Sequence, residues 1–123
     1  MADMEVEFVT VERRFWSGEA SMVVAKTTEG EIGIQAGHEP LLGELDAGGT
    51  VTVYTQEGRK VAAVQGGFLS VTANRVTVLG ETAQWADDID RAGAERELSE
   101  AGDDPMAAAA ARGRLRAVEK AGA

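Results

Sequence analysis

A chain of 123 residues, 44% apolar and 27% charged, has an ordinary globular composition and is long enough for one real core. Its formal charge of −9 repels phosphate backbones and anionic headgroups, which argues against nucleic-acid binding and against direct membrane insertion. The absence of cysteine excludes disulfides, thiolate catalysis and thiolate metal sites, and a single histidine cannot make a multi-histidine centre.

The chain opens Met1-Ala2-Asp3-Met4-Glu5, which is acidic where a secretory signal is basic. No segment approaches the roughly 20 apolar residues of a membrane span, so any membrane association is expected to come through a partner. Short runs with apolar residues at period two then predict strands over residues 5–11, 14–16, 19–27, 31–34, 41–45, 50–55, 59–64, 68–72 and 75–79. Gly18, Gly30, Gly37, Gly48-Gly49, Gly58 and Gly66-Gly67 punctuate them. Val6 with Phe8, Val51 with Val53, and Val76 with Val78 should each share a face. Ala73-Asn74 reads as a tight hairpin turn, with Asn tolerating a positive φ.

Past Trp85 the composition changes abruptly. Asp87-Asp88 is expected to cap a helix starting near Ile89 and stopped by Gly102. Asp104-Pro105 marks a second start, an N-cap carboxylate followed by a proline suited to the first turn. The second helix is expected to run from about Met106 to Lys120, with Ala108, Ala111, Leu115 and Val118 as a narrow seam. Gly93 and Gly113 each weaken their helix by about 1 kcal/mol relative to Ala, so this hairpin should be marginal alone. The fold class is therefore mainly β with α. An N-terminal antiparallel β-sandwich or flattened barrel, residues 1–84, precedes a C-terminal two-helix hairpin, residues 85–123.

No catalytic constellation is legible. His38 lacks an evident nucleophile or carboxylate partner and reads as a surface-loop residue or an interface contact. The glycines of 30–37 lack the spacing, lysine and hydroxyl of a phosphate loop, and their neighbours are acidic. Lys26 raises a different idea, a small β-sandwich carrier domain modified at that lysine; the plainer reading is a strand-end lysine in solvent. Trp16 and Trp85 are expected to pack against the sheet or at the junction with the helices. Arg112, Arg116 and Lys120 form one basic stripe, either solvated or paired weakly with the acidic first helix. No cofactor and no metal are expected.

Several motifs stand together in order. Phe15-Trp16-Ser17-Gly18 is an aromatic turn ending in glycine. Glu29-Gly30-Glu31-Ile32-Gly33-Ile34 is followed by His38-Glu39-Pro40-Leu41-Leu42. Gly66-Gly67-Phe68-Leu69-Ser70-Val71 is followed by Asn74-Arg75-Val76-Thr77-Val78-Leu79. With these, nearly the whole chain resembles the epsilon subunit of the F-type ATP synthase. The resemblance departs at Ala36, where the family usually has proline.

That resemblance implies a non-catalytic rotor subunit at the cytoplasmic face of the cell membrane, peripheral within the ATP synthase complex. It would link the gamma subunit to the proteolipid ring and couple proton translocation to ATP synthesis, with a restraint on ATP hydrolysis a further role. Glu31, Gly37, His38, Pro40, Leu41 and Leu42 would face the ring. The helices would contact gamma or the alpha/beta catalytic head, with Arg112, Arg116 and Lys120 as the regulatory contact. Some members bind ATP through Ile-Asp-x-x-Arg-Ala. In this chain Ile89-Asp90-Arg91-Ala92-Gly93-Ala94 has Gly93 in the arginine position, which removes the group best suited to phosphate. Ile89, Asp90 and Arg91 would leave at most a weak nucleotide contact, with Arg91 or Arg96 as substitutes. The second helix is short for the family, as in actinobacterial members.

Overall fold

The computed structural model of the protein describes residues 3–122. Eight strands form one sheet among those residues: β1 (Met4–Thr10), β2 (Arg14–Ala20), β3 (Met22–Thr27), β4 (Gly30–Gln35), β5 (Leu41–Glu44), β6 (Gly49–Thr55), β7 (Gly58–Thr72) and β8 (Arg75–Trp85). The order is β2-β1-β8-β7-β6-β3-β4, with β5 also beside β7. The pairs are antiparallel except β1 with β8, which run parallel from Glu5 opposite Arg75 to Thr10 opposite Gly80.

β7 is the strand that makes a sandwich of this sheet. The sequence pattern predicts two strands there, yet the chain runs through 15 residues without a break. Its first half pairs with β6 and its second half with β5, while β8 follows it along nearly its whole length. The bend falls at Gly66 and Gly67, both at positive φ (66° and 113°). A side chain on Gly67 would run into the Leu79 carbonyl oxygen, so glycine there turns the strand without ending it. The opposite correction applies at residues 19–27. Ser21 interrupts that run, its N–H donating to the Tyr54 carbonyl (2.9 Å), and two strands result. β8 continues past Leu79 to Trp85.

Alternation places the core as the sequence implies. Met4, Val6 and Phe8 of β1 meet Val23, Ala25, Ile34, Val51, Val53, Leu69, Val71, Val76 and Val78. Burying a Val, Leu or Phe side chain contributes about 1.5–3 kcal/mol each, which makes this cluster the main source of stability. Phe8, Phe15, Trp16 and Trp85 close one margin: Trp85 stacks on Phe15 with centroids 4.7 Å apart and meets Phe8 and Trp16 edge-on. At the β7–β8 turn the positive φ falls on Ala73 (46°) and not on Asn74.

A short 3-10 turn (Ala86–Asp88) leads into helices α1 (Arg91–Glu100) and α2 (Pro105–Gly122). Asp87 and Asp88 therefore lie in that turn and do not cap α1. The N-cap is Asp90, whose carbonyl accepts the Ala94 N–H at 2.9 Å. The second start is as expected: Asp104 Oδ1 accepts the N–H groups of Met106 (3.1 Å) and Ala107 (3.2 Å). Gly102 has the positive φ (56°) of a helix stop.

The expected seam on α2 is corrected. Ala108 and Ala111 are buried, but Leu115 and Val118 are only half-buried, and Gly113 and Ala117 take their place. The reason is that α2 has two neighbours. It packs on α1 and also lies on the outer face of β6 and β7, where Ala117 joins Val61, Ala63 and Ala86 in a second small cluster with Ile89 against it. Thr50 and Thr52, on the face of β6 opposite Val51 and Val53, are buried as well. The hairpin is folded down on the sandwich.

Candidate functional site

β4 ends at Gln35 and the chain crosses to β5 through Ala36, Gly37, His38, Glu39 and Pro40. Gly37 takes a φ of 87°, and its N–H donates to Asn74 Oδ1 of the β7–β8 turn (3.3 Å). The His38 N–H donates to the Gln35 carbonyl (3.1 Å). Its ring Nδ1 lies 2.7 Å from the Glu39 carbonyl oxygen, and since a carbonyl only accepts, Nδ1 carries the proton. His38 is thus held by its own loop, with no nucleophile or carboxylate oriented on it among the described residues. No three His, Cys, Asp or Glu side chains among them are placed to hold a metal.

Beyond Pro40 the surface turns apolar. Leu41 tucks against the core, while Leu42 is 73% exposed. Leu42 stands opposite Ser70 and is the diagonal neighbour of Phe68, which is 52% exposed. Phe68 stands opposite Leu79, and Leu79 opposite Val9 of β1. Phe68, Leu79, Val11 and Met106 line an open cleft of about 510 Å³ with Glu44, Asp46 and Glu81 among its walls. An apolar stripe therefore runs from the 37–42 loop to the start of α2, edged by carboxylates. Exposed apolar surface of this kind on a small chain is a candidate docking face.

Most of this stripe escaped the sequence reading, although the signal was present. Leu69 and Val71 face the core, so at period two Phe68 must face away from it; the same parity sets Leu79 against Val76 and Val78.

Glu31 does not join the loop. It lies at the start of β4, opposite Lys26, six residues or roughly 20 Å of extended chain from Gly37. Its carboxylate instead accepts a hydrogen bond from Lys120 Nζ of α2 at 2.7 Å. Arg116 Nη1 donates to the Gly48 carbonyl (2.9 Å), and Arg59 Nη2 donates to the Lys120 carbonyl (2.8 Å). Two members of the basic stripe are thus spent on the sandwich, and Arg112 stays exposed. The helices are bridged by other residues, Arg114 with Glu97 (2.8 Å) and Arg91 with Glu119 (3.7 Å).

Ile89 and Arg91 each have other neighbours. Ile89 packs on the second cluster, and Arg91 faces the carboxylates of Glu95 (3.4 Å) and Glu119. A Cβ on Gly93 would sit 2.8 Å from Asp90 Oδ2. Lys26 lies inside β3 and not at the β3–β4 tip, and its carbonyl accepts the Asp46 N–H (3.1 Å). No described helix is long and apolar enough to cross a membrane.

Residues 3–86 match the family model for the β-sandwich domain of the ATP synthase delta/epsilon chain. The chain belongs to that family. Over nearly its whole length it is similar to ATP synthase epsilon chains. It is 59% identical to that of Rhodococcus opacus over 122 residues, covering 98% of this chain and all of the relative. It is 52% identical to that of Corynebacterium efficiens, covering 98% and 96%. Its fold is shared with a chain of the Euglena gracilis mitochondrial ATP synthase assembly of OSCP, F1 and c-ring. That match has a TM-score of 0.78 at 22% identity and covers all of this chain and 83% of the other. A chain of the Tetrahymena thermophila central stalk and c-ring matches at a TM-score of 0.64 and 21% identity, covering 99% and 98%. Epsilon-chain relatives matched end to end replace the carrier reading of Lys26.

Proposed function

We propose that this epsilon chain is a non-catalytic subunit of the rotor. It links the gamma subunit to the proteolipid ring at the cytoplasmic face of the membrane and couples proton translocation to ATP synthesis. The observation that carries this is the apolar stripe. A 123-residue chain with a complete core has no folding reason to expose Leu42, Phe68, Leu79, Val11 and Met106 along one line. Its carboxylate edge suits a partner with basic residues around an apolar patch, and gamma is assigned that position. The 37–42 loop at its end, with Gly37, His38, Pro40, Leu41 and Leu42, is assigned to the ring's polar loops. Both solved chains of like fold belong to assemblies that contain a c-ring, which supports the assignment.

The same proposal divides the chain into a rotor-binding sandwich, residues 1–84, and a regulatory hairpin, residues 85–123. In the docked position only Arg112 of the basic stripe is offered to the alpha/beta head. A restraint on ATP hydrolysis by the whole stripe would require Arg116 and Lys120 to leave Gly48 and Glu31.

The test is purification of the tagged chain from cells that assemble the complex. It should bring down gamma and the ring, and cysteine at Leu42, in a chain with no native cysteine, should cross-link to one of them. Recovery of the chain free of both would contradict the proposal.

A further inference from the structure

The loop between β4 and β5 crosses from one layer of the sandwich to the other, and its own sequence does little to fix it. Among the described residues, the other hydrogen bonds of residues 37–40 are internal: His38 to Gln35, and the His38 ring to Glu39. One bond comes from far away in sequence, the Gly37 N–H on Asn74 Oδ1 across 37 positions.

The anchor at the other end of that bond is firm. The Asn74 carbonyl accepts the Glu5 N–H (2.8 Å), and Arg75 Nη2 bonds Glu5 Oε2 (2.7 Å), so the β7–β8 turn is tied to the start of β1. Ala73 at positive φ tightens the same turn. Gly37, itself at positive φ, reaches the Asn74 carboxamide with its N–H. A side-chain oxygen fixed to one layer thus holds the loop that leaves the other.

We propose that Asn74 is the positioning residue of the 37–42 loop, setting the height and angle at which His38, Pro40 and Leu42 are presented to a partner. The carboxamide oxygen is what the role requires, so Asp should replace Asn and Ala should not. This rests on the reading of the loop as partner-facing.

Two measurements on the full chain and the assembled enzyme test it. In the isolated chain, Asn74→Ala should speed amide exchange at Gly37 by roughly two- to tenfold, the protection one net hydrogen bond supplies. Asn74→Asp should keep the exchange slow, and core amides such as Val71 should be unchanged in both. Unaltered exchange at Gly37, or a uniform loss of protection through the sandwich, would overturn the proposal. In the assembled enzyme, Asn74→Ala should lower the protons pumped per ATP hydrolysed, and Asn74→Asp should restore them. Leu42→Asp serves as the reference. If Leu42→Asp impairs pumping and Asn74→Ala does not, the loop matters and Asn74 does not position it. If Leu42→Asp has no effect either, the loop is not partner-facing and the proposal falls with that reading.

Discussion

Gly113 of α2 lies backbone to backbone against Gly48, so closely that a Cβ on Gly113 would sit 3.0 Å from both the carbonyl carbon and the oxygen of Gly48. From the other side, a side chain on Gly48 would run into the Ala109 carbonyl oxygen. Neither obstacle is a flexible tip. The glycine that weakens α2 as an isolated helix is what lets the helix reach the sandwich, and Arg116 then bonds the Gly48 carbonyl one turn further on.

Gly48→Ala should therefore lift α2 from the sheet and destabilise the chain by about 1–3 kcal/mol, the usual range for overpacking. Thermal unfolding would give the magnitude, and faster amide exchange confined to α2 and α1 would give the location.

Truncation distinguishes the sandwich from its margin. A chain ending at Asp88 should still unfold cooperatively, because the main core uses no residue of α1 or α2. Ending at Gln84 removes Trp85 from its stack on Phe15 as well and should cost roughly a further 2 kcal/mol, less than for a fully buried indole. Denaturant unfolding of the two fragments compares them, and a non-cooperative product from the longer one would count against an independent sandwich.

The isolated chain should not bind ATP at micromolar concentration. Arg91 is engaged by Glu95 and Glu119, and Gly93 supplies no guanidinium. Gly93→Arg alone should not create binding, because Ile89 stays packed on the second cluster and Arg91 stays paired with Glu95 and Glu119. Calorimetric titration of both proteins with ATP is the check.

Sequence alternation made the core legible where a strand keeps one wet face, as β1 and the first part of β8 do, but not along β6 and the first half of β7, which are covered on both faces. Met4, Val6 and Phe8, or Val76 and Val78, could be assigned inward from parity alone. The bent β7 was not legible, since Gly66-Gly67 signals a stop and a bend equally, and only the pairing partners on both sides decide. The placement of α2 was hidden for a related reason. A helix touching two elements buries small residues such as Gly113 and Ala117, which carry little weight in an apolar pattern. Of the candidate site, the loop carrying His38 and Leu42 was visible as a motif. The detachment of Glu31 from it was not, because neighbours in sequence lie far apart along an extended strand.

Reversing the basic stripe should shift ATP hydrolysis by the assembled enzyme. With Arg112, Arg116 and Lys120 all changed to Glu, Glu31 faces a carboxylate in place of Lys120, and Gly48 loses its donor. An exposed pair such as Lys120–Glu31 contributes roughly 0–1 kcal/mol, so the effect should shrink as salt is raised. Equal hydrolysis rates for the triple variant and the unaltered enzyme at low salt would go against a charge-based role for the hairpin.

The coupling role itself is tested most directly by ATP-driven proton pumping in the assembled enzyme carrying His38→Ala with Leu42→Asp. Both side chains lie on or beside an exposed loop, outside the main core, so the sandwich should remain folded. Docking would now bury a carboxylate without a partner in place of an apolar contact, an unfavourable exchange. Fewer protons should be pumped for each ATP hydrolysed; normal pumping by the double variant would contradict the coupling role.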